Sequence, residues 1–153
     1  MHCMLKTTKA FTLAVHAMSL LAQNHPGKLP IGKIATLCGV SEAHLAKVVQ
    51  ILARNRMVKG ERGPSGGVSL STPPEQISLL DIWDAVEGRS EESGCPFALP
   101  FCKHESCSLG LIFTEHNRQI ESLMKSTTLK ELGCGSEIDK AQDADPGFPG
   151  MIL

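Results

Sequence analysis

From Thr8 to about Gln23 the apolar residues Phe11, Ala14, Val15, Met18, Leu21 and Ala22 recur at three- and four-residue steps, which predicts an amphipathic helix. Asn24, Pro26 and Gly27 stop it. A second, short helix is predicted from Ile31 to Cys38, with Ile34, Ala35 and Leu37 inward and Gly39 supplying its C-terminal turn. Ser41 then offers a hydroxyl to the unpaired amides of a third helix that buries Leu45, Val48, Val49 and Leu52. Its opposite face presents Ala43, His44, Lys47, Gln50 and Arg54. Two helices joined by Gly39-Val40-Ser41 form a helix-turn-helix. Alternating residues over Met57–Arg62 and Val68–Ser71 flank the flexible tip Gly63-Pro64-Ser65-Gly66-Gly67, which predicts a β-hairpin, or wing.

Pro73 and Pro74 close the hairpin. Ser78 and Asp81 then open a capping-box helix that buries Leu79, Ile82, Trp83 and Val86 and stops at Gly88. A proline- and glycine-containing loop follows. From about Ser108 to Lys125 a long helix carries Leu109, Ile112, Phe113, His116, Ile120, Leu123 and Met124 along one stripe, more than a lone small domain needs. Such a stripe suits pairing with a second copy, and a two-fold homodimer matches a palindromic DNA site. Thr128 and Glu131 cap a last short helix ending near Gly133, and residues 134–153, rich in Asp, Gly and Pro, are expected to be a disordered tail. The expected fold is mainly α with a small β-hairpin. Its parts are a winged helix-turn-helix domain over 1–88, a cysteine loop over 89–107 and a dimerisation helix with its short successor over 108–133.

Charge sharpens this division. Residues 1–72 hold nine Lys or Arg against Glu42 and Glu61, a balance of +7, whereas the remainder holds six against fourteen Asp or Glu, a balance of −8. A basic half next to a helix-turn-helix points to a polyanion, here double-stranded promoter DNA. Ser41, His44, Lys47 and Gln50 on the third helix and Arg62 on the wing are the candidate DNA contacts. No apolar run approaches the roughly 18 residues of a membrane span, and no secretory leader is evident, so a cytoplasmic protein is expected. The chain lacks a nucleophile–base constellation or a phosphate-binding glycine loop, so it is not read as an enzyme.

In a reducing compartment six cysteines point to metal or redox chemistry rather than to disulfides. Three of them, Cys95, Cys102 and Cys107, fall within thirteen residues in a C-x6-C-x4-C spacing, in a loop with no hydrophobic core of its own. Thiolates suit an iron-sulfur cluster or zinc, and binding can order such a loop. Thiol redox chemistry is the remaining alternative.

The Leu13-Ala14-Val15-His16-Ala17 helix, Ala35 with Gly39-Val40-Ser41, the wing Arg62-Gly63-Pro64-Ser65-Gly66-Gly67, Val86-Glu87-Gly88 and then three cysteines resemble the IscR/NsrR family of Rrf-type winged-helix regulators. The similarity covers roughly residues 5–133. It implies a homodimeric regulator, most simply a repressor, that holds a two-iron or four-iron cluster through Cys95, Cys102 and Cys107 and senses nitric oxide, redox state or iron supply. Where some members of that family place an acidic ligand on the first helix this chain has Thr12, and where others place a histidine beyond the third cysteine it has Gly110. His16, one turn beyond Thr12, and His104 inside the loop are the candidate fourth ligands. The competing expectations are a cluster-free regulator of the same fold, responding through thiols or a partner enzyme, and an iron-sulfur carrier or redox protein.

Overall fold

The computed structural model describes residues 7–61, 63, 66–88 and 107–132. Arg62, the 89–106 stretch with Cys95, Cys102 and His104, and the expected tail all lie outside the described residues.

Helix α1 spans Lys9–Gln23, and the Thr8 hydroxyl accepts from the Phe11 amide, so the first turn starts with a paired donor. Its buried face is Phe11, Leu13, Ala14, Ala17, Met18 and Leu21. Helices α2 (Ile31–Leu37) and α3 (Glu42–Arg54) follow, α3 capped by Ser41, whose Oγ accepts from the His44 amide at 3.3 Å. The turn between them passes through Gly39 at φ 65, a left-handed conformation that glycine adopts without steric cost. Leu45, Val48, Val49 and Leu52 are the buried residues of α3, the four positions that the spacing assigns to the core.

Strands β1 (Val58–Glu61) and β2 (Gly67–Leu70) pair antiparallel, with Val58 opposite Leu70 and Glu61 opposite Gly67. Val58, Val68 and Leu70 fix the wing to the core. Leu29 adds a one-residue rung on the other side of β2, its amide donating to Val68 O at 2.9 Å and its carbonyl accepting from Val68 N at 2.8 Å. This rung is invisible to periodicity, because a single residue has no period. A Cβ on Gly67 would lie 2.7 Å from Leu29 O, inside any real contact distance. Gly67→Ala is therefore expected to cost about 1–3 kcal/mol, read as a lower denaturant midpoint with unchanged slope. An unchanged midpoint would show that the rung is not closely held.

Helix α4 (Leu79–Glu87) carries the complete capping box, Ser78 Oγ accepting from Asp81 N while Asp81 Oδ2 accepts from Ser78 N. It packs on α1, α3 and α5. Phe11 meets Trp83 edge-on at 4.9 Å between ring centroids, and Thr8 Oγ1 donates to Glu87 Oε1, so the first turn of α1 is held against the C-terminal half of α4.

Helix α5 spans Ser108–Ser126. Its apolar stripe divides: Phe113, Ile120 and Met124 are half-buried, while Leu109, Ile112 and Leu123 are 48%, 65% and 66% exposed. On its polar side Glu115 is held down to about 2 by the Arg118 guanidinium and then by the Gln119 amide.

The expected helix after Thr128 is a correction. Thr128 N and Oγ1 do donate to Glu131 Oε2, as the pattern predicts, but residues 128–132 form only a capped turn. Backbone bonds pull the segment into a bridge beside α4, Leu129 N donating to Ile77 O at 2.7 Å and Leu79 N to Thr127 O at 2.9 Å. Leu129 is thereby buried, and its amide, which would have no partner inside a helix capped by Thr128, finds one in the bridge.

Candidate nucleic-acid interface and cysteine site

The cap on Ser41 sets where α3 begins, and the burial of Leu45, Val48, Val49 and Leu52 sets which face turns away from the core. His44, Lys47 and Gln50 are exposed on that outward face, three-residue steps that fan across about 120° of the helix surface. Ser41 is exposed at the N-cap, at the start of the helix and off that face. Three of the four candidate contacts on the helix thus share one face. Arg62 lies outside the described residues, but its neighbour Glu61 ends β1, so the wing emerges beside the helix-turn-helix.

Two features of this surface were not legible from sequence. Lys28, before α2, pairs with Glu61 at 2.6 Å and holds its carboxyl below the usual range, which ties the tip end of β1 to the α1–α2 connection. Both groups are exposed, so the pair contributes orientation more than stability. Glu42 lies against α2, since a Cβ on Gly32 would come within 2.6 Å of Glu42 Oε1. Charge composition could flag Lys28 and Glu61, but only the fold shows that residues 33 apart meet.

Cys107 is the one described thiol of the three candidate ligands. It is half-buried at the N-cap of α5, where its Sγ accepts from the Gly110 amide at 3.4 Å. A thiolate there faces the unpaired amides and positive end of the helix dipole. Whatever binds Cys107 therefore acts directly on the first turn of α5.

His16 lies on the exposed side of α1, its Nδ1 2.8 Å from Thr12 O. A carbonyl can only accept, so Nδ1 is the donor there and Nε2 is the ring nitrogen left for a ligand, the arrangement seen in metal-ligating histidines. Thr12 itself is spent locally, its hydroxyl donating to Thr8 O at 3.1 Å. Among the described residues no three His, Cys, Asp or Glu side chains gather as a metal site. Cys95, Cys102 and His104 lie outside them. Cys38, at the end of α2, is half-buried and burial pushes its thiol up, the behaviour of a small packing residue rather than of a reactive thiol.

Known proteins share this fold. The Rrf2 family, described as iron-dependent transcriptional regulators, matches residues 7–134. The HTH-type transcriptional regulator IscR of Erwinia tasmaniensis is 26% identical over 135 residues, covering 88% of this chain and 82% of its own. Among solved structures, CymR, described as the global cysteine regulator of B. subtilis, superposes with a TM-score of 0.74 at 26% identity, over 85% of this chain and 97% of its own. IscR of T. potens does so with a TM-score of 0.67 at 28% identity, over 93% and 94%.

Proposed function

The chain belongs to the Rrf2 family of transcription regulators, and from that premise we propose that it is a homodimeric, cytoplasmic repressor whose operator binding is set by an iron-sulfur cluster in the 89–107 loop. DNA binding and transcription regulation, rather than catalysis, come with the family. The cluster, its signal and the dimer are the proposal.

The observation that carries it is the place of Cys107. It caps α5, the helix whose Leu109, Ile112 and Leu123 stand exposed for a second copy, and α5 packs on α4, which in turn packs on α3. Cys95, Cys102 and Cys107 would hold the cluster, with His16 Nε2 or His104 as the fourth ligand. Soft thiolates and an outward imidazole lone pair suit iron. When bound, the cluster supplies a centre whose ligation changes with nitric oxide, redox state or iron supply. The chain's own part is mechanical: Cys107 held by a ligand fixes the start of α5, and Cys107 released leaves the dimer helix free to shift the spacing of two α3 helices. Residues 1–88 would then read DNA, with Ser41, His44, Lys47, Gln50 and Arg62 in contact, while 108–132 pair the copies.

Anaerobic purification followed by iron and acid-labile sulfide analysis and visible spectroscopy tests the cluster. Brown protein with stoichiometric iron and sulfide is expected. A second reading, a regulator responding through thiols or a partner enzyme, draws on the likeness to a cysteine regulator. It predicts colourless protein that stays iron-free after reconstitution.

A further inference from the structure

Residues 1–72 carry two acidic side chains, Glu42 and Glu61, in a stretch that balances to +7. Their situations differ. Glu61 is paired with Lys28 at 2.6 Å. Glu42 is exposed in the first turn of α3, and its carboxylate has no hydrogen bond or ion pair among the described residues. Neither does it trail into solvent. Glu42 Oε1 lies so close to Gly32 that a Cβ on that glycine would come within 2.6 Å of it. A bare glycine in α2 thus leaves a notch beside the start of α3, and the carboxylate sits in it.

In a helix-turn-helix the first helix crosses the phosphate backbone, and the first residues of the second meet base edges in the major groove. Glu42 stands where those two helices meet. Phosphate repels an unpaired carboxylate, and a carboxylate stripped of water without a donor is costly, so Glu42 opposes binding to DNA in general. One kind of base edge reverses this. Cytosine presents its N4 amino group in the major groove as a donor, which matches a group that only accepts. Guanine offers two acceptors there and thymine an acceptor and a methyl group, so both leave the charge unpaired. Adenine sets an acceptor beside its donor, a pattern suited to an amide.

We propose that Glu42 is a specificity-determining residue of the DNA interface, accepting from cytosine N4 at one base pair under each α3 and excluding other bases there. The inference rests on α3 being the helix that enters the groove. Its contribution is discrimination, where that of Lys47 is affinity.

Selection from a pool of random DNA duplexes at one fixed salt concentration, with the full chain purified anaerobically, tests this. Wild type is expected to enrich a sequence with a C·G pair that depends on Glu42. Glu42→Gln keeps the side-chain length and supplies an amide, and is expected to move that pair to A·T. Glu42→Ala is expected to lose the preference at that pair, a change of about tenfold or more in titrations of duplexes differing there, with the remaining positions held. Ser41 still caps α3 in both variants, and circular dichroism checks that helix content is kept. An enriched sequence that either variant leaves unchanged overturns the proposal while α3 stays in the groove. A carboxylate serving only the positive start of its helix would shift the unfolding midpoint and not the sequence. Loss of preference at a pair other than C·G overturns it as well. Failure of wild type to enrich any sequence would remove α3 from the groove, and the proposal with it.

Discussion

Cys107→Ser is expected to fold with α5 intact and to purify anaerobically without its iron and sulfide. Serine is a better N-cap than cysteine, so the Gly110 amide, now 3.4 Å from Sγ, keeps a partner. What the substitution removes is the soft thiolate that iron-sulfur chemistry needs. Cys107→Ala removes both roles and is expected to cost about 1 kcal/mol of stability besides, which separates capping from ligation. Helical circular dichroism together with iron and sulfide content reads the two effects independently. Iron retained in Cys107→Ser at the wild-type level would place the ligands elsewhere.

Replacing the polar residues of α3 is expected to produce two distinguishable losses. Gln50 is exposed on the outward face of α3 and bears an amide able to bond a base edge in two places, so Gln50→Ala should cost about 1–3 kcal/mol on the cognate operator and little on altered ones. Lys47 offers a point charge to phosphate. Lys47→Ala should weaken binding to all sequences alike and reduce the slope of log affinity against log salt by about 0.9. Titrations of both variants on cognate and scrambled duplexes over a range of salt check this. Since both side chains are exposed, neither variant should change the unfolding midpoint. Equal affinity of wild type and both variants for the operator would remove α3 from the interface.

Much of the fold was legible because local chemistry and global packing agree. Thr8, Ser41 and the Ser78–Asp81 pair each start a helix where the sequence puts them, and the buried faces of α1 and α3 follow the three-and-four spacing. What escaped was non-local or atypical. Leu29 joins the wing through two backbone bonds, and backbone groups leave no trace in side-chain pattern. The turn at Thr128 has a genuine capping pair, yet residues 128–132 form a turn whose first amide, Leu129 N, bonds across to Ile77 O, a pairing that no local pattern shows. Cys107 as a helix cap was hidden because cysteine is not among the usual capping residues. The exposure of His44, Lys47 and Gln50 opposite the buried side of α3 was legible from the spacing. The spacing groups the thiols in one loop, and the link of Cys107 to α5 became visible only with the N-cap in place.

That link is the central claim, since a signal at the cysteine loop matters only if it reaches α3. The most direct measurement is an anaerobic operator titration of iron-loaded and iron-stripped protein at one fixed salt concentration. The affinities are expected to differ by about 5- to 150-fold, the usual range of coupling between two sites on one protein. Identical affinities of the two forms would contradict it.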